Sequence, residues 1–230
     1  MYALQTPVGQ LVAERPERAR VFEEFNIDYC CGGKRTLGEA CLRRGVDPEA
    51  VVQRLDILDA SPHSLQTDWQ AAPLSELCDH IVATHHQYLR RELPRLQALL
   101  AKIARVHGDR HPELTQLLCV FDTFQLDLSH HMDKEEQVLF PLIKQLAASS
   151  IPANRSMVAP IRVMEAEHDR AGAALAEMRR LTDGYQMPAD GCTTYRVAFD
   201  ALNQLEHDMH QHVHLENNVL FPRVEQIIAG

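Results

Sequence analysis

The chain has 230 residues, 45% of them hydrophobic, with 23 Lys plus Arg against 32 Asp plus Glu and a net charge of −9. That acidity argues against a phosphate-backbone binder and so against nucleic acid as a partner. No apolar run approaches the roughly 20 residues of a membrane span, and the N-terminal MYALQTPVGQLVAERPERAR lacks the apolar core of a secretion signal, so a cytoplasmic location is expected.

Taken in chain order, the elements are helical. Thr6-Pro7, Thr36 with Glu39, Asp47-Pro48 and Pro73 with Glu76 all have the chemistry of helix beginnings, and strand signals do not recur. Residues 1–58 form a small helical module. At 59–73 the periodicity fails and Ser, Pro and Asp gather, which marks a linker. Residues 74–230 hold four long amphipathic stretches, 74–105, 113–148, 159–183 and 193–228, separated by the polar turns HGDRHP, SSIPANRS and DGYQMPADG. Short connections make neighbours antiparallel, so the expectation is an all-α protein with an antiparallel four-helix bundle. Pro94 lies inside the first stretch and is expected to bend or locally break it.

The second and fourth stretches repeat one another: His131-Met-Asp-Lys-Glu135-Glu-Gln-Val-Leu-Phe-Pro141 returns as His212-Val-His-Leu-Glu216-Asn-Asn-Val-Leu-Phe-Pro222. Residues four apart lie one above the other on a helix, so each His-x-x-x-Glu offers a nitrogen and a carboxylate to one ion. Helical phase selects further inward histidines. His131 continues the stripe Leu117, Phe121, Phe124 and Leu128 toward Glu135, Val138 and Leu142, whereas His130 shares a face with Thr123, Lys134 and Gln137. His212 follows Leu202, Leu205 and Met209, while His207, His210 and His214 fall among Asn203, Glu206, Asn217 and Asn218, a face expected to meet water. His168 is on the stripe Ile161, Met164, Ala171 and Leu175. In the first stretch the phase favours His86, with His85 as its rival. Four imidazoles and two carboxylates buried together would be costly unless paired, and metal coordination supplies the pairing. Mixed nitrogen and oxygen ligands suit iron, manganese or zinc, and carboxylates from paired helices are typical of di-iron bundles, so iron is preferred.

Three segments carry a resemblance to a known family: Asp-Tyr-Cys-Cys-Gly-Gly-Lys at 28–34, Met-Glu-Ala-Glu-His-Asp at 164–169 and Leu-Glu-Asn-Asn-Val-Leu-Phe-Pro at 215–222. Through them nearly the whole chain resembles the Repair of Iron Centres proteins, the hemerythrin-like di-iron family of YtfE and ScdA type. The resemblance implies two non-haem iron ions, oxo- and carboxylate-bridged, with His86, His131, His168 and His212 as terminal ligands and Glu135 and Glu216 as bridges. It also implies a role in repairing iron-sulfur clusters damaged by oxidative or nitrosative stress, with damaged iron-sulfur proteins as partners and the di-iron centre as iron donor or redox partner. Oxygen-carrying hemerythrins resemble His-x-x-x-His in the third helix, where this chain has His168 and Gly172. The missing ligand leaves positions open to nitric oxide, oxygen or peroxide. The alternatives are therefore a di-iron nitric oxide or peroxide reductase and an oxygen- or nitric oxide-sensing binding protein. No classical hydrolase or transferase motif is present, and a homodimer is left open.

The six cysteines, Cys30, Cys31, Cys41, Cys78, Cys119 and Cys192, do not make a disulfide framework in so long and well-cored a chain. Cys41, Cys78 and Cys119 fit helical patterns as packing residues. Cys30 and Cys31 precede the helix start at Thr36 and stand near Lys34, two features that lower a thiol pKa. With the resemblance they become candidate redox or iron-handling thiols. Trp69 is expected to anchor the linker on the bundle.

Overall fold

The structure, a computed structural model, describes residues 2–60, 67–148 and 158–229. The expected SSIPANRS turn and residues 61–66 of the expected linker lie outside them. The described residues form helices and no strand, and no helix is long and apolar enough to cross a membrane.

Four short helices come first: α1 (Val8–Glu14), α2 (Ala19–Glu24), α3 (Leu37–Arg44) and α4 (Pro48–Asp59). The start of α3 is fixed by a reciprocal cap in which the Glu39 amide donates to Thr36 Oγ1 and the Thr36 amide donates to Glu39 Oε2. Asp47 caps α4 by accepting from the Glu49 amide, with Pro48 in the first turn. Arg18 ties the ends of this module together, its Nη2 lying 2.6 Å from Asp59 Oδ2.

Each of three long helices of the bundle is broken into two α segments by a single π turn. The first is α5 (Leu74–Ile81), the turn Val82–His86 and α6 (Gln87–His107). The second is α7 (Glu113–Lys134), the turn Glu135–Leu139 and α8 (Phe140–Ala147). The third helix, α9 (Val158–Leu181), is uninterrupted. The fourth is α10 (Thr193–Leu215), the turn Glu216–Leu220 and α11 (Phe221–Ala229). The most extensive packing is of α7 on α9, α6 on α7 and α6 on α10. Against the α9–α10 side the N-terminal module is docked, and Cys30, Cys31, Ala171, Gly172, Met209 and Val213 line one cavity there.

A π turn inserts one residue and so advances the helical phase. Val138 and Leu142, expected on the inner stripe, are displaced by it: Val138 is exposed and Leu142 half-buried, while Leu139 and Ile143 take the core positions. The α6 helix is not broken at Pro94. Pro94 and Arg90, whose carbonyl the proline leaves without a helical donor, are both exposed.

The polar face of α10 is wet only in part, the His207 side chain keeping 43% exposure. His214 and Asn217 are buried, because the module covers them: Tyr29 sets its ring against His214 at 5.6 Å and His210 at 6.1 Å. Cys119 is exposed and is not a packing residue, whereas Cys41 and Cys78 are buried. Trp69 packs partly buried against the bundle, stacked on His80 at 4.3 Å, with its carbonyl accepting from Arg223.

Candidate metal centre

Two apolar clusters divide the bundle along its length, one including Leu89, Phe121, Leu175 and Leu205, the other Leu77, Ile143, Ile161 and Leu220. On every helix the inward polar residues fall where one cluster gives way to the other: His86, then His131 and Glu135, then His168, then His212 and Glu216. All six are buried, with His86, Glu135, His212 and Glu216 fully enclosed. His86 closes the first π turn, while Glu135 and Glu216 open the second and third. The widened turns thus stand at the level of the polar layer, where single-turn π bulges frequently mark functional positions.

The six side chains fall into two overlapping groups, His86, Glu135, His212 and Glu216 on one side and His131, Glu135, His168 and Glu216 on the other. Within each, one ligand atom per residue lies within 4.8 Å of the rest. Both carboxylates are shared. His86 Nε2 faces His212 Nε2 at 3.2 Å, and His131 Nε2 faces His168 Nε2 at 3.0 Å. Nitrogens bound to one ion at about 2.1 Å stand about 3.0 Å apart at a right angle and about 3.4 Å apart in a tetrahedron, so both pairs have the spacing of neighbours on one ion.

Tautomers sharpen this fit. The Nδ1–H of His86 donates to Glu136 Oε1 at 2.9 Å, that of His131 to Glu167 Oε2 at 2.8 Å and that of His168 to Asn217 Oδ1 at 2.8 Å. An acceptor on Nδ1 leaves the neutral ring with a bare lone pair on Nε2. In the second pair two such lone pairs then face each other at 3.0 Å, which is repulsive unless a cation lies between them. The carboxylates point the same way. Both Glu135 oxygens and Glu216 Oε2 are buried without a hydrogen bond, although imidazole nitrogens approach them at 3.0–3.4 Å. Orphaned buried carboxylates cost several kcal/mol each, and a pair of divalent cations removes that cost. Without an ion the same charges hold protons: although burial opposes it, the adjoining Glu135 and Glu216 raise His131 to about 9.

In the first helix the two rivals stand at different places. His86 belongs to the group, whereas His85 lies beside it, its ring parallel to that of His212 at 5.4 Å and its Nδ1 held by Asp208 at 2.9 Å. His130 is exposed. Sequence reasoning missed Glu136, Glu167 and Asn217; each adjoins a predicted ligand in sequence, a signal that was available.

Cys30 and Cys31 reach the same region from the module. Asn26 ends α2 with φ 53, and the Ile27 amide returns to the Phe22 carbonyl, which turns residues 28–33 back beneath the bundle. There Asn218, two residues past Glu216, donates from Nδ2 to the carbonyls of Tyr29 and Cys30 at 3.3 and 3.0 Å. A Cβ on Gly33 would lie 2.1 Å from Asn218 Oδ1, so only glycine permits this approach. Cys31 Sγ donates to the His168 carbonyl at 3.5 Å. It also lies 3.2 Å from where a Cβ on Gly172 would stand, so the thiol fills space beside the position where the third-helix ligand was found missing. The expectation of lowered thiol pKa values fails for Cys30: its neighbour Cys31 and its own burial push that thiol well up. Lys34 turns instead to Glu165 at 2.7 Å.

Residues 79–224 match the hemerythrin HHE cation binding domain, and residues 4–59 match a domain of unknown function, DUF542, also called ScdA_N. The iron-sulfur cluster repair protein YtfE of Shigella boydii is 40% identical over 217 residues, covering 94% of this chain and 95% of that protein. Its namesakes from Citrobacter koseri and Escherichia coli are 40% and 39% identical, again over 94% of this chain and 95% of each relative. Similarity of that extent, with a cation-binding bundle whose polar layer could hold metal, places the chain in the hemerythrin-type family of YtfE iron-sulfur cluster repair proteins.

Proposed function

We propose that this chain repairs iron-sulfur clusters damaged by oxidative or nitrosative stress, in the cytoplasm, with a resident pair of non-haem iron ions, oxo- and carboxylate-bridged, in the polar layer of the bundle. His86 and His212 would hold one ion, His131 and His168 the other, and Glu135 and Glu216 both. Bound there, the irons would supply exchangeable metal and electrons. The protein supplies the rest: Glu136, Glu167 and Asn217 fix the imidazole rings by taking their Nδ1 protons, and the two apolar clusters keep water from the layer. Cys30 and Cys31 are the thiols through which iron or electrons pass to a client.

The observation that carries this reading is the position of Cys31 Sγ, 3.5 Å from the carbonyl of the ligand candidate His168. A pure oxygen carrier has no use for a thiol pair there. The test is restoration of a nitrosylated or oxidised client cluster by the full chain. Changing Cys30 and Cys31 together to Ser should leave the di-iron Mössbauer signal intact and impair restoration, and unimpaired restoration would sink the role of the thiols.

A second reading, reduction of nitric oxide or peroxide, is favoured by the small residue Gly172 in place of a ligand and by a cavity of about 570 Å³ between α7 and α9 that reaches His131 and His168. Steady turnover with a physiological electron donor supports it, whereas stoichiometric transfer of iron to an apo-cluster protein supports repair.

A further inference from the structure

Cys30, Cys31 and Asp28 have the mutual spacing of ligands on a single ion. The two Sγ atoms are 3.9 Å apart, and Asp28 Oδ1 lies 3.4 Å from Cys30 Sγ. Thiolates bound at about 2.3 Å in a tetrahedron stand about 3.8 Å apart, and a thiolate and a carboxylate oxygen at about 2.0 Å stand about 3.5 Å apart. All three donor atoms fall within 4.8 Å of one another. The trio is rigidly mounted: Asn218 holds the Tyr29 and Cys30 carbonyls, the Cys30 amide donates to Asp28 Oδ1 at 3.1 Å, and Arg35 stands 3.7 Å from Asp28 Oδ2. Beside the thiols a cavity of about 200 Å³ is lined by Cys30, Cys31, Lys34, Glu165, Asp169 and Asn217, which leaves room for water or a client ligand in a fourth position.

We propose that Asp28, Cys30 and Cys31 form a third cation site, separate from the polar layer of the bundle, that takes one thiophilic divalent transition ion with its fourth position open. Closed structural sites of this kind carry four protein ligands, and three with an opening suit an ion that is to be handed on. Loading exchanges protons for metal: one divalent ion displaces the two thiol protons to solvent, and no electron moves. The neighbouring Cys31 and burial push the Cys30 thiol upward, so the ion itself must drive its deprotonation. The purpose of the site as a station between bundle and client rests on the repair function proposed above; its existence does not.

The experiment is an anaerobic cobalt(II) titration of the full chain, thiols reduced and bundle already loaded with iron. The expected result is one further equivalent per chain with thiolate-to-cobalt charge transfer and the strong visible bands of four-coordinate cobalt, while bound iron is unchanged. Cys31→Ser should abolish the charge-transfer band of the pair, and Asp28→Asn should weaken binding by at least the roughly tenfold that loss of an outer-shell partner alone costs. Cys30 is buried, so if Cys30→Ser does not fold, the two other variants decide, their folding verified by unchanged iron content. Absence of a thiolate band overturns the proposal, as does cobalt binding that Asp28→Asn leaves untouched. Failure of client repair with an intact cobalt site overturns the repair reading alone.

Discussion

His130 and His131 are adjacent, yet one is exposed and the other faces His168 within the polar layer. His131→Ala or Glu135→Ala should therefore lower bound iron well below the proposed two per chain, with His130→Ala unchanged by metal analysis; equal losses would refute the assignment by helical phase. His86→Ala should cost more metal than His85→Ala, because His85 only buttresses the His212 ring. His214→Ala separates two effects. Its ring is buried under Tyr29, so the variant should keep its iron and lose about 1–3 kcal/mol in denaturant unfolding. Cys192, open to solvent, stands at the N-cap position of α10, with the His107 Nε2–H donating to its sulfur at 3.3 Å. That bond and the first-turn amides lower its pKa to about 7. Its alkylation rate should rise through pH 7 toward a plateau, and His107→Phe should move the midpoint upward; a midpoint left in the ordinary thiol range by the native chain would refute the contact. The six candidate ligands were legible from spacing because i, i+4 pairs and helical phase are local properties. The burial of His214 was not, since it depends on Tyr29, 185 residues away in sequence.

At the level of elements, the π turns are where periodicity misleads. A 3.6-residue pattern carried past Glu135 places Val138 and Leu142 inside; the inserted residue hands those places to Leu139 and Ile143. Nothing in the composition of Glu135–Leu139 announces the extra residue, so the expected helix is right and its phase beyond Glu135 wrong. Deleting Val138 restores an ordinary α turn and rotates one half of the helix against the other by about 100°. Either the ligands or the Leu139, Phe140 and Ile143 side must then leave the core. The expected outcome is near-native helical circular dichroism with loss of iron and a lowered melting temperature. Full iron content in the deletion variant would show that the widened turn is dispensable for the site.

On the scale of the whole molecule, the expected division into a module at 1–58 and a bundle from 74 can be tested through where the six candidate ligands lie. All six come after the expected linker, so a fragment beginning at Thr67 retains every one of them, along with the Glu136, Glu167 and Asn217 that orient them. It loses what the module contributes. Tyr29 no longer covers His210 and His214, Asn218 loses the Tyr29 and Cys30 carbonyls, and the cavity side of Met209, Val213 and Leu175 opens to water. Independent folding is expected because bundle residues pack on both sides of the polar layer, Leu89, Phe121 and Leu205 on one and Leu77, Ile143 and Leu220 on the other, even though the first cluster also takes in Val8, Phe22 and Leu37 of the module. The fragment should bind two irons with an unaltered di-ferric Mössbauer signature. It should also bind a hydrophobic dye that the full chain excludes, and melt lower: losing even about 2 kcal/mol lowers the midpoint of a protein this size by about 4–8 °C. A fragment that folds but holds no iron would mean that the module, through Cys31 at the His168 carbonyl or Asn218 beside Glu216, is needed to set the ligands and is part of the metal centre.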